Sequence, residues 1–193
     1  LAEKKGADQI EVCSDLRNDG LTPNLQLVEK IINYISIPIK VMIRPRIGNF
    51  YYSNSEMLTI KDQITNFKSI GIDHIVIGVL DKNNIVNMDH VKKISDWSAP
   101  IKITFHKAID TSIEFFGDIE ALVKSKRIDS LLTSGRSRTA ETGSNIIKKV
   151  INNYGKEIKV ISAGKITNKN LSAIHKKIGG TYYHGRKILG KLG

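Results

Sequence analysis

A histidine, a lysine and a carboxylate crowd one short stretch, Ile101–Asp110, which reads I-K-I-T-F-H-K-A-I-D. Ile101, Ile103 and Phe105 alternate with Lys102, Thr104 and His106, a period of two that marks a strand whose faces meet different surroundings. The alternation stops after His106. Lys107 and Asp110 follow, and then a helical pattern carries Phe115, Phe116, Ile119, Leu122 and Val123. A strand that ends in such groups and feeds a helix presents them where α/β folds bind ligands, beyond the C-terminal ends of the strands.

Other stretches deliver polar groups in the same way. Glu11 and Cys13 alternate with Ile10 and Val12; Arg44 shares a face with Lys40 and Met42, opposite Ile39, Val41 and Ile43. Leu131 and Leu132 run into Thr133-Ser134-Gly135, and Tyr182 and His184 share a parity near the end of the chain. Three chemistries suit this set. Cys13, His106 and His184 are metal-ligand types, thiolate with imidazole suiting Cu(I) or Zn, although no C-x-x-C or H-x-x-x-H spacing is present. Glu11 or His106 could act as a base toward a carbonyl or sugar, with Arg44 clamping an anion and Thr133 beside them. A phosphate could be held by small residues and cations: Arg46, Lys107, Asp110, Ser134 and Gly135, together with Gly164-Lys165 and Gly185-Arg186 after the last two strands.

The elements that must position these residues alternate along the whole chain. Strands are expected at Gln9–Cys13, Ile39–Arg44, His74–Leu80, Ile101–His106, Ser130–Ser134, Ile158–Ala163 and Thr181–His184. Between them lie helical stripes such as Val28, Ile31, Ile32 and Ile35, or Met57, Ile60, Ile64 and Phe67. Thr22-Pro23 reads as a helix start, and Ser53-x-x-Glu56 as a capping box. Leu1–Lys5 reads as the tail of a helix closed by Gly6, which implies a strand upstream of it. Strand–helix alternation means a parallel sheet with helical crossovers. No G-x-G-x-x-G follows any strand, which argues against a dinucleotide-binding open sheet. The expected fold is therefore α/β, a single-domain TIM-type (β/α)8 barrel whose first strand is missing from the chain.

Composition narrows the partners. The 193 residues carry a formal net charge of +11, but the lysines are scattered and no arginine-rich or aromatic-plus-basic motif appears, which points away from nucleic acid. No apolar run approaches the roughly 18 residues that span a bilayer. Cys13 is the only cysteine, so no internal disulfide can form and a reducing, cytoplasmic setting fits.

E-V-C at 11–13, D-G-L-T-P at 19–23, V-M-I-R-P-R at 41–46, T-F-H-K-A-I-D at 104–110 and L-T-S-G at 132–135 together resemble the CutC copper homeostasis family, over essentially the whole chain. The resemblance implies a (β/α)8 barrel, cytoplasmic and commonly a homodimer, with a role in copper tolerance and with Cu(I) as cargo. Two rim stretches depart from the family pattern: Ser162-Ala163-Gly164-Lys165 stands for its glycine-rich A-G-x-G, and His184-Gly185-Arg186 for its H-S-S. Cys13 is then the expected thiolate. Cu(I) needs a second soft ligand, a histidine or a cysteine from another subunit. The alternatives are an enzyme acting on a small sugar or carbonyl compound, phosphorylated or not, through Glu11, Arg44, His106 and Thr133, and a binding protein without turnover.

Overall fold

The computed structural model describes residues 1–191. Its sheet has seven strands in chain order, every neighbouring pair parallel: β1 (Ile10–Val12), β2 (Ile39–Met42), β3 (His74–Ile77), β4 (Lys102–Phe105), β5 (Ser130–Thr133), β6 (Lys159–Ser162) and β7 (Tyr182–Tyr183). Six α-helices cross between consecutive strands: α1 (Leu25–Ile32), α2 (Asn54–Ser69), α3 (Met88–Ser98), α4 (Phe115–Ser125), α5 (Ser144–Tyr154) and α6 (Leu171–Ile178). Sequential order with only right-neighbour pairing curls the sheet toward a barrel, as the alternation predicts. The strands are shorter than expected, by one to three residues at most ends.

Parity decides which face is which. Val12, Ile39, Val41, Ile43, Ile75, Ile77, Ile103, Phe105, Leu131 and Val160 pack with Val28, Ile60, Ile64, Ile94, Ile119 and Val150 of the helices in one continuous core. The alternate positions, among them Lys40, Met42, His74, Val76, Thr104, Ser130 and Leu132, are buried yet lie outside that cluster, on the concave face. Since successive strand side chains point to opposite faces, this single register puts every candidate with the parity of Thr104 on the inside.

Local signals set the crossovers. Ser53 and Glu56 form the expected capping box, and the Glu56 carboxylate also pairs with Arg46. The Thr22 cap is overturned. Asn24 caps α1 through the Gln26 N–H, while the Thr22 hydroxyl accepts the Arg44 N–H (2.8 Å) and donates to Gln63 (2.9 Å). A hydroxyl beside a strand end is better used on a sheet amide than on a helix two residues away. Glu3–Lys5 is one 3-10 turn, closed by Gly6 at φ +86°.

The loop after β5 turns back on the start of α5 at van der Waals contact. A Cβ placed on Gly143 would stand 1.9 Å from the Ser134 carbonyl oxygen, so Gly143→Ala must push the two segments apart. Overpacking of this kind should cost about 1–3 kcal/mol, read as a lower urea midpoint with unchanged slope.

Candidate functional site

One hydroxyl ties the inner faces of four strands together. Thr104 Oγ1 accepts from the buried ammonium of Lys40 (3.0 Å) and meets His74 Nε2 (2.8 Å) and Ser130 Oγ (2.6 Å). A hydroxyl offers one proton and two lone pairs, so three partners saturate it. Burial pushes the Lys40 ammonium down to about 8, with Glu11 opposing that shift. Burial also pushes His74 down to about 3, helped by Lys40, Lys102 and Lys159, so its ring is neutral. Sequence reasoning gave Lys40 the parity of Arg44 but no role, and it missed His74 and Ser130. The signal was present, since all three share the inward parity of their strands.

At the C-terminal rim, Arg44 is buried and its guanidinium reaches backbone carbonyls of two loops: Nη1 donates to Asn18 (2.7 Å) and Gly20 (3.2 Å), Nη2 to Gly48 (3.2 Å). Two strands away, His106 is also buried, its Nδ1 accepting the Ala108 N–H (3.1 Å). Gly78 on β3's extension makes room for it, since a Cβ there would stand 2.3 Å from the ring. Phe50 touches both groups, 5.2 Å beneath the guanidinium and 4.9 Å from the imidazole in an edge-on arrangement. Burial, and then the Arg44 charge, push His106 down to about 3, so it stands as a neutral ring.

Asp110 has a different occupation. Its carboxylate accepts from the Thr133 and Ser134 hydroxyls and from the Ser134 (2.9 Å) and Arg136 (3.0 Å) amides. Thr133 has the outward parity of Leu131, and its hydroxyl also accepts the Gly135 N–H (2.9 Å). The structure thus gathers Asp110, Thr133, Ser134 and Gly135, but as the frame of one loop. Gly164 belongs to that frame, since its Cβ would stand 2.9 Å from Ser134 Cβ. Arg46 is likewise committed to the Glu56 carboxylate and to carbonyls of Ile47, Asn49 and Tyr51. Lys107, Lys165 and Arg186 are exposed.

The open flank between β1 and β7 holds the remaining candidates. Glu11 lies 4.0 Å from His184 Nδ1, and Arg186 reaches within electrostatic range of Cys13. Cys13 is half-buried, and burial together with Glu11 pushes its thiol up to about 11. A point 3.2 Å from its Sγ, where Gly20 would carry a Cβ, is 3.8 Å from the Met42 methyl. The Cys13 sulfur and the Met42 methyl therefore approach the same point beside Gly20, a proximity that the sequence reading did not note although Met42 shares Arg44's parity. Among the described residues no group of three or more His, Cys, Asp or Glu side chains is placed to hold a metal, so Cys13, His106 and His184 form no such trio.

Residues 1–189 match the CutC family. The chain is 34% identical over 183 residues to a Homo sapiens protein named copper homeostasis protein cutC homolog, covering 95% of this chain and 67% of that one. A CutC family protein of Pasteurella multocida is 30% identical over 184 residues, again 95% of this chain and 75% of the other. Among solved structures, the CutC protein of Streptococcus agalactiae superposes with a TM-score of 0.89 at 25% identity, covering 94% of this chain and 89% of that one. A monomeric dihydrodipicolinate synthase variant superposes at 0.62 with 10% identity, over 95% of this chain and 59% of the other, a likeness of fold alone.

The inner histidine makes the fold acid-sensitive. His74 and His106 both sit below the ordinary histidine value, so between about pH 6.5 and 3 the unfolded chain binds protons that the folded one does not. Stability should therefore fall as the pH drops through that window, by about 1.4 kcal/mol per pH unit for each histidine once its unfolded form is fully protonated. The groups facing His74 are Lys40, Lys102, Lys159 and Thr104, none able to compensate its charge. Denaturation midpoints of His74→Gln should show a shallower acid slope than the parent.

Proposed function

Because this chain belongs to the CutC family, we propose that it serves copper homeostasis by holding Cu(I) on the sulfur pair of Cys13 and Met42. The approach of the Cys13 sulfur and the Met42 methyl to one point beside Gly20 carries this reading. Thiolate and thioether are the soft donors that Cu(I) prefers, and two such donors satisfy a two-coordinate ion. His184, beside Glu11 on the same flank, is the imidazole we assign to a third contact. Burial that holds the thiol protonated sets a condition: the metal must displace the proton, so binding should release one proton and strengthen as pH rises.

The scaffold reading accompanies it. The curled sheet of seven parallel strands in chain order supports a TIM-type (β/α)8 reading of the scaffold. The isolated free thiol and the need for reduced copper support a cytoplasmic setting. Exposed Ile47 and Tyr51 on the connection into α2, and Leu58 on that helix, support self-association as a homodimer.

An anaerobic Cu(I) competition titration tests the sulfur pair. Cys13→Ala should abolish the tight component, and Met42→Leu, which keeps the volume, should weaken it by tenfold or more, about 1.4 kcal/mol. Unchanged affinity in Cys13→Ala ends the proposal; unchanged affinity in Met42→Leu alone moves the second ligand to His184, which His184→Ala then checks. Alkylation of Cys13 by iodoacetamide should accelerate with pH well beyond the range of an ordinary thiol, toward the raised value of about 11.

A further inference from the structure

Two buried donors at the mouth of the sheet have no partner. Arg44 is 8% exposed and its Nε–H meets no acceptor; His106 is 6% exposed and its Nε2 meets none. The guanidinium has five N–H groups, and the three it uses all go to neutral carbonyls. No carboxylate pairs with Arg44 among the described residues. It is thus a buried cation held in place but not neutralised, which folding alone disfavours. His106 is fixed as a donor by its own backbone. Since Nδ1 accepts the Ala108 N–H, the neutral ring carries its proton on Nε2.

We propose that the mouth of the sheet, beside the sulfur pair and independent of it, binds a small oxyanion through Arg44 and His106. The donors select the ligand class. Two N–H groups reject a cation, and an uncompensated guanidinium favours an anion over a neutral sugar hydroxyl. Phe50, lying against both groups, forms the apolar wall that keeps water away and strengthens each bond. Gly20 and Gly48, both with positive φ, turn their carbonyls onto the guanidinium, and Gly78 leaves room beside the imidazole. The carbonyl staples hold Arg44 before any ligand arrives, so little side-chain entropy is lost on binding. Arg44 and exposed Lys107 both depress the histidine, which is the mark of a positive potential at this mouth. The ligand is a carboxylate or a phosphate, and the two differ in shape: planar and bidentate against tetrahedral.

Thermal unfolding of the intact protein in sodium phosphate, sodium malonate and sodium chloride at matched ionic strength tests this. Stabilisation by phosphate or by malonate above chloride supports the site, and the stronger of the two names the source. Loss of the His106 donor in His106→Phe should weaken that anion by about fivefold to tenfold. No stabilisation above chloride by either anion overturns the proposal. So does equal affinity in parent and variant, because the anion would then be bound elsewhere on the basic surface. Should His106→Phe fail to fold, imidazole 15N spectra of the parent decide. Movement of the His106 Nε2 resonance during the titration supports the site, and a fixed resonance overturns it. Neither outcome depends on copper, so the sulfur-pair reading stands or falls separately.

Discussion

The hydroxyl of Thr104 is the constraint on which the inner face depends. It saturates itself on Lys40, His74 and Ser130, side chains from β2, β3 and β5, and so fixes the relative positions of four parallel strands from the inside. Backbone ladders alone tolerate slippage; a buried three-way junction of side chains does not, because moving one strand leaves several polar groups unpaired in a low-dielectric interior. The lysine is the costly member. Its ammonium has three donors and one hydrogen-bonded partner here, and its depressed value records what burial takes from it. The charge persists because Glu11, its register partner on β1, leans against the shift.

Above this junction the inner face changes character. Apart from Arg46 and Glu56 at its edge, the rim is not sealed by pairing of opposite charges. Its arginine binds carbonyls, its aspartate binds hydroxyls and amides, and its histidine caps a turn. Asp110 spends its whole acceptor capacity on the loop after β5, while Arg44 joins the loops after β1 and β2. The two charges therefore organise separate loops rather than each other. One consequence is a mouth with fixed walls. The other is an imbalance, since the aspartate is fully satisfied and the arginine is not.

Much of this was legible in the sequence, for a definite reason. Period-two alternation assigns a face to each residue, so Glu11, Cys13, Arg44 and His106 could be placed together before any coordinates. The same rule misplaced nothing in parity; it failed on emphasis. Thr133 looked functional because it ends a strand in a polar run, but its outward parity, shared with Leu131, already excluded it from the inner face. Lys40 shared the face of Arg44 in the sequence but was given no role, and only packing reveals that its position near the start of β2 is sealed. Met42 was given a face but no role, since sequence spacing cannot show that its methyl and the Cys13 sulfur approach one point beside Gly20. Thr22 was assigned to a helix cap from local chemistry alone, and a long-range partner, the Arg44 amide, claimed its hydroxyl instead. Local rules named the groups; the curl of the sheet chose among their competing partners.

That choice also separates what scaffold likeness says from what it does not. A dihydrodipicolinate synthase variant shares the path of the chain at 10% identity, so strand order and crossovers constrain chemistry very little. What distinguishes this chain is the content of two adjacent inward positions. Cys13 and Met42 put polarizable sulfur beside Gly20, and the carbonyl of that same glycine holds the Arg44 guanidinium. Glycine is required there twice over, for its φ of +90° and because a Cβ would crowd Cys13. Each contact uses a different part of that residue, the carbonyl for the guanidinium and the bare Cα for the thiol, so the two sites share a wall without requiring each other.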